Sequence, residues 1–359
     1  LSGLPGVLNA DDQGLGKTLQ TIAFMAWLQG NMKHAPDSEK KPILVVAPTT
    51  LLKNWATEVE THMTSMFGLG SRIDAYGSSL QNLKKQTSNG SIYLDLGLNT
   101  HSENDRICWV LTTYQTLAQN QKEFGKIDFA TVIFDEIQNI KNVKTLTHRA
   151  AQSMKADFTI GLTGTPVEND VSEIWAILDT IAPGSMGSLK HFLERFSQAD
   201  ENQYKVLHDE IFTNGYAVDP EGEKIPPLSI RRMKSEAIKN LPFKKYRFYP
   251  LNMPEMQAQA YDMVFARLKN EAQGRALKIL HQLRSVSLYP GNLQQLNEQQ
   301  DALKSMMDRS ARIKAAVDIM DQIKERREKV LLFLETHEMQ HLLRGLLAKR
   351  YGLEDIPIL

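Results

Sequence analysis

The 359-residue chain reads as a doubly wound α/β lobe followed by a mostly helical region and the start of a second α/β lobe. Three observations carry this. Continuous apolar runs of strand length alternate with segments of helical period. A glycine-rich turn joins the first strand to the first helix. From about Val171 the texture becomes helical, until a final strand and helix close the sequence.

In order, GVLNADD (6–12) opens as a short apolar strand. KTLQTIAFMAWLQG (17–30) follows with Leu19, Ile22, Ala23, Ala26 and Trp27 at the spacing of one helix face, closed by Gly30. PILVVAP (42–48) is continuously apolar, as a strand buried on both faces of a parallel sheet must be. TTLLKNWATEVETHM (49–63) reads as a helix and RIDAYG (72–77) as a weaker strand. After a polar stretch from about Gly77 to Asp105 come three more strand signals, ICWVLTTY (107–114), TVIFDE (131–136) and DFTIGLTGTP (157–166). Beyond them lie helices and the loop DPEGEKIPPL (219–228), the strand signal YRFYPLNM (246–253), more helix with an exposed glutamine-rich NLQQLNEQQ (292–300), and the pair KVLLFLE (329–335) and THEMQHLLRGLLAKRYG (336–352). The expected divisions are a first lobe over 1–170, a helical insertion and linker over 171–245, a strand returning to the first lobe at 246–253, a helical region over 254–328, and a second lobe begun at 329–359.

Composition limits the function classes. Lys plus Arg and Asp plus Glu both number 42, so no global field draws the chain to a polyanion, and nucleic-acid contact must come from a local surface. Cys108, the single cysteine, can form no intramolecular disulfide and suits the core of a protein in a reducing compartment. The absence of a long apolar run or signal peptide points to a soluble intracellular protein without a membrane partner. Val7 and Leu8 resemble a buried strand with no partner before it, so a missing upstream segment is expected.

The chemistry begins at DDQGLGKT (11–18). A glycine turn between strand and helix exposes backbone N–H groups to an anion, and the helix adds its positive end. Gly14 and Gly16 suit that turn, Lys17 would reach the β- and γ-phosphates from a solvent-facing position, and Thr18 would offer its hydroxyl to Mg²⁺. A tight turn with a solvated lysine fits the same residues, and Asp11 stands where a phosphate loop usually has its first glycine. Asp135 and Glu136 at the end of an apolar strand supply a metal ligand and a base for the attacking water, or else a solvated strand end. In GLTGTP, Thr163 and Thr165 flank Gly164, and small hydroxyl residues there can relay the state of a γ-phosphate; an ordinary turn is the alternative. Trp55 suits the core better than a base stack, and the run KERREK (324–329) suits a solvated helix face.

The blocks LNADDQGLGKTLQTIA, ILVVAPTTLLKNWATEV, VLTTYQTL, VIFDEIQNIKN and LTGTPVEND occur in the order of the Swi/Snf-type ATPases of helicase superfamily two. SEIWAILDTIAPG, RRMKSEAIKNLP, ILHQLRSVSLYP and KVLLFLE resemble that family's later blocks, and Gln138 is more like its bacterial members, which include components of phage-defence systems such as Zorya. The resemblance implies RecA-like lobes with helical insertions that move along double-stranded DNA at the expense of ATP and Mg²⁺. It makes Asp11 normal in a loop whose ATP-binding residues are Asp11, Asp12, Gln13, Gly14, Leu15, Gly16, Lys17 and Thr18, and it makes Gln138, Thr163, Gly164 and Thr165 coupling residues. It places DNA phosphates at Thr49, Thr50, Lys53 and Asn54, at Thr112, Thr113 and Tyr114, and at Lys141 and Asn142, although each taken singly suits a cap or solvated role as well. Neither an adenine-gripping glutamine motif nor arginine fingers lie within the sequence, so weak ATP hydrolysis by this length of chain, missing parts of a larger protein and further protein partners are expected. A nucleotide-gated scaffold without turnover is the alternative; an RNA-directed helicase fits the long insertions less well.

Overall fold

Seven strands hydrogen-bond side by side, every neighbouring pair parallel, in the computed structural model, which describes residues 4–36, 40–63, 69–97, 108–165, 170–198, 200–213, 226–240, 242–269, 276–296 and 301–358. The strands in chain order are β1 (Gly6–Asn9), β2 (Ile43–Ala47), β3 (Ser71–Asp74), β4 (Lys84–Gln86), β5 (Ile92–Leu94), β6 (Cys108–Thr113), β7 (Asp128–Asp135), β8 (Lys155–Leu162) and β9 (Ser229–Ile230). The sheet order is β3-β6-β2-β7-β8-β1-β9, while β4 and β5 form a separate antiparallel hairpin within the polar stretch that follows Gly77.

The apolar runs become central strands because both faces of the sheet are covered. Alternate residues enter opposite cores: Leu44, Val46, Val110, Val132 and Phe134 on one side, Ile43, Val45, Trp109, Leu111 and Ile133 on the other. That is the two-residue period of a pleated strand. Cys108 is buried in β6 and Trp55 is wholly buried, both as the sequence predicts.

The first unit, Leu1–Pro242, carries α1 (Lys17–Met32), α2 (Leu52–His62), α3 (Ser79–Leu83), α4 (Tyr114–Gln119), α5 (Gln121–Phe124), α6 (Leu146–Gln152), α7 (Val171–Ile181), α8 (Leu189–Phe196), α9 (Glu201–Phe212) and α10 (Lys234–Ala237). In α1 the buried stripe is Ile22, Met25, Gln29 and Met32, while Leu19 and Trp27 are exposed and the helix continues past Gly30. The expected face was rotated: a helix rich in apolar residues on every side offers several stripes, and packing on the sheet selects one. Ile174, Phe192 and Leu207 of α7, α8 and α9 share a core with the sheet.

The strand expected at 246–253 is not formed; it is β9 that returns to the sheet, where Leu8 N–H donates to Leu228 O and Ala10 N–H to Ile230 O at 2.7 Å each. Residues 329–335 likewise form no strand, and Leu331 and Phe333 are exposed. Strand-like composition records fitness for a pleated, half-buried surface, and without a neighbouring edge it builds no ladder.

The second unit, Phe243–Leu359, consists of α11 (Glu255–Lys269), α12 (Ala276–Leu288), α13 (Ala302–Arg309), α14 (Ala311–Glu325) and α15 (His337–Tyr351). Its core gathers Tyr289, Met306, Ile313, Val317, Met339 and Leu343. Gln257, wholly buried, ties the helices together by donating to Val286 O and Ser287 O and accepting from Ala311 N–H. Leu296 of the glutamine-rich segment is buried rather than exposed, and 297–300 lie outside the described residues, as do 219–225 of the expected loop and 166–169 after Thr165. The basic run 324–329 is exposed as expected, but only Lys324 and Glu325 lie on a helix, because α14 ends there.

Candidate functional site

Because every strand of the large sheet is parallel, their carboxyl ends share one edge, where α/β proteins place their ligands. The loops leaving β1, β7, β8 and β9 bring the sequence motifs together there.

Gly14 and Gly16 have φ of 83° and 77°, left-handed conformations that only glycine adopts at no steric cost. Gly16 caps α1 without a side-chain acceptor, and no acid occupies the first turn. The helix therefore presents N–H groups and its positive end to an incoming anion. Lys17 does not face solvent: its ammonium folds back and donates to Asp11 O at 2.7 Å and Asp12 O at 3.4 Å. Thr18, partly exposed, follows in the first turn of α1.

Asp11 and Asp12 hold the loop rather than pointing at a ligand. The Asp11 carboxylate is wholly buried and accepts from the Arg232 backbone N–H at 2.9 Å, from Arg232 Nε and Nη2, and from Gln20 Nε2 at 3.3 Å. Burial pushes this carboxyl up, but the hydrogen bonds from Arg232 and Gln20 outweigh it and hold it below the usual carboxylate range. Asp12 Oδ2 accepts from Lys234 N–H at 2.9 Å. The part played by Arg232 and Lys234 is missing from the sequence-based set; the block RRMK was visible, but nothing in it indicated which loop it would meet.

Asp135 ends β7 with 7% of its surface exposed. Trp55 Nε1 donates to its Oδ2 at 2.7 Å and Glu136 N–H to its Oδ1 at 2.9 Å. Burial raises the Asp135 pKa, opposed by the Trp55 bond and reinforced by the Glu136 charge. Glu136 sits at φ 49°, one of two non-glycine residues with positive φ among those described, and such strain concentrates at functional positions. Its Oε2 accepts from Gln138 Nε2 at 2.7 Å, Gln138 Oε1 accepts from Thr163 Oγ1 at 2.8 Å, and Thr163 Oγ1 accepts from Thr165 N–H at 3.0 Å. The amide of Gln138 thus bridges the end of β7 to the loop after β8. A Cβ on Gly164 would lie 2.9 Å from Gln13 Cγ and 3.7 Å from Lys17 Nζ, so this glycine lets the loop after β8 touch the glycine loop after β1.

Trp55→Phe removes the indole donor from a buried carboxylate and is expected to destabilise the metal-free protein by about 1–3 kcal/mol, read by denaturant unfolding. The bond favours ionised Asp135, so its contribution is present above the raised carboxyl pKa and is lost as pH falls through it. The gap between variant and parent should therefore narrow on acidification, whereas a gap constant with pH would assign the whole effect to lost packing.

The nucleic-acid positions divide. Thr49, Thr50, Lys53, Asn54 and Asn142 are exposed in the segments after β2 and β7, neighbouring strands. Lys141 forms a 3.2 Å ion pair with Glu173. The expected point at Thr112, Thr113 and Tyr114 is corrected: all three side chains are buried. Thr112 donates to Ala75 O, Thr113 caps α4 by accepting from Thr116 N–H, and Tyr114 donates to Asp135 O at 2.7 Å. These three hydroxyls are satisfied internally before they can reach a phosphate.

The site fits a Mg²⁺-nucleotide. Among the described residues no group of three or more His, Cys, Asp or Glu side chains could hold a metal, and Mg²⁺ bound with phosphates needs only one or two protein ligands. Thr18 and Asp135 are of the right type. No helix among the described residues is long and apolar enough to cross a membrane.

Residues 3–330 match the family described as SNF2-related domain. The chain is 26% identical to the Zorya protein ZorD of Escherichia coli O139:H28 over 98% of its own length and 32% of that protein. It is 29% identical to YwqA of Bacillus subtilis over 97% of its length and 35% of that protein. The chain thus spans about a third of these curated relatives. Among solved structures, the Sulfolobus solfataricus SWI2/SNF2 ATPase core in complex with dsDNA superposes with a TM-score of 0.50 at 24% identity, covering 98% of this chain and 66% of the other. The shared fold is the RecA-like α/β architecture.

Proposed function

As the chain belongs to the SNF2-related domain family, we propose that it forms the ATP-hydrolysing core of a translocase on double-stranded DNA. The observation that carries this is the continuous relay Glu136–Gln138–Thr163 lying against a glycine loop with Lys17. A scaffold that merely held nucleotide would need the loop but no oriented base connected to a second loop.

In this reading the N–H groups at the start of α1 and the Lys17 ammonium bind the phosphates, and Lys17 exchanges its two loop carbonyls for phosphate oxygens. Thr18 and Asp135 would hold Mg²⁺, which would supply neutralisation of phosphate charge there. Glu136, aimed by its strained backbone and by Gln138, orients the attacking water and takes its proton. Any change in Glu136 position is felt by Thr163 through one amide, which gives the loop after β8 a means of sensing hydrolysis.

Thr49, Thr50, Lys53 and Asn54 form the proposed phosphate-backbone contact, reading charge and not sequence. Lys53→Ala is expected to weaken binding to all duplexes alike and to reduce the slope of log affinity against log salt by about 1. Fluorescence anisotropy with two unrelated duplexes tests it. A loss confined to one sequence, or an unchanged slope, contradicts the placement.

A further inference from the structure

The geometry points to Lys234 as a second cation of the nucleotide site, contacting the polyphosphate of a bound nucleoside triphosphate alongside Lys17. This inference rests on the nucleotide-site reading above and adds to it a residue from the far end of the first unit.

The segment from Leu228 onward is fastened along the phosphate loop step by step. Leu8 N–H donates to Leu228 O and Ala10 N–H to Ile230 O at 2.7 Å, Asp12 N–H donates to Arg232 O at 3.1 Å, and Lys234 N–H donates to Asp12 Oδ2 at 2.9 Å. Arg232 closes the track on the buried Asp11 carboxylate. The backbone of Lys234 is therefore fixed relative to the loop by a ladder that begins in the sheet.

Its side chain then lies over the loop. A Cβ built on Gly14 would stand 3.2 Å from Lys234 Nζ and 3.9 Å from its Cε. The ammonium thus occupies the space that the missing side chain leaves at a left-handed position, φ 83°. Among the described residues no carboxylate pairs with this ammonium, and the charge of Asp11 is already matched by Arg232. Lys17 also lacks a carboxylate partner there and contacts carbonyls alone. Two ammonium groups brought to one glycine loop repel each other unless an anion lies between or beside them, and a triphosphate carries enough charge and oxygen atoms to engage both. A lysine serving only solubility has no need of a fixed backbone ladder or of a glycine beneath it.

The test is equilibrium binding of MgATP and of magnesium tripolyphosphate to the full chain, comparing the parent with Lys234→Met, Lys234→Arg, Lys17→Ala and the distant surface control Lys190→Met. Lys234→Met keeps the apolar stem and the backbone N–H that holds Asp12, so the fold should survive, and unfolding temperature checks this. The expected result is about a tenfold loss of affinity for both ligands in Lys234→Met, most of it restored in Lys234→Arg, and none in Lys190→Met. ATP affinity in Lys234→Met within about twofold of the parent, with binding lost in Lys17→Ala, overturns the role of Lys234 and leaves the nucleotide site standing. If Lys17→Ala also binds normally, the nucleotide site is elsewhere and both fall. Equal losses in Lys234→Met and Lys190→Met would show a general charge effect and also reject the contact.

Discussion

Glu136→Gln is expected to lower ATP turnover by about 10²–10⁴-fold, the contribution of a positioned general base, while leaving ATP affinity within about twofold. Glutamine keeps the size of the side chain, and its carbonyl can still accept from Gln138 Nε2, so the hydrogen bond now made at 2.7 Å survives and the relay to Thr163 stays intact. Only the capacity to take a proton disappears. The variant should accumulate with ATP bound, which a filter-binding assay for retained nucleotide together with phosphate-release kinetics would register. Hydrolysis at the parental rate would remove Glu136 from the role of base.

Lys17→Ala acts on the other half of the site. Its ammonium now donates to two carbonyls of its own loop, bonds whose loss costs about 1 kcal/mol each at most once water replaces them. Against a phosphate the same charge forms stronger, charge-assisted bonds, so the variant should lose about 10²-fold or more in MgATP affinity with only a small fall in stability. Calorimetric titration and thermal unfolding read the two effects separately. Unchanged affinity would mean that the glycine turn is structural only.

How legible the site was depended on how local its causes are. Gly14, Gly16, Lys17 and Thr18 are set by a strand, a turn and a helix start within one short segment, and Asp135 with Glu136 follows from the end of an apolar strand. The link from Gln138 to Thr163 spans 25 residues yet joins the ends of adjacent strands, so two separately visible motifs lie within one hydrogen bond of each other. Arg232 and Asp11 are 221 residues apart, and no local pattern encodes that pairing. Tyr114 and Thr112 were misplaced for a related reason: a hydroxyl near a strand end looks the same in sequence whether it meets a ligand or a backbone carbonyl distant along the chain. The runs at 246–253 and 329–335 show the limit for strands, because apolar alternation describes one edge and the ladder needs two.

The central claim is that ATP hydrolysis at this site is coupled to double-stranded DNA, and the most direct test is the steady-state hydrolysis rate of the complete protein with duplex DNA, single-stranded DNA and duplex RNA as stimulus. The account predicts strong stimulation by duplex DNA of any sequence, lost in Glu136→Gln and shifted to higher DNA concentration in Lys53→Ala. A rate indifferent to duplex DNA, or stimulated equally by RNA, would contradict it.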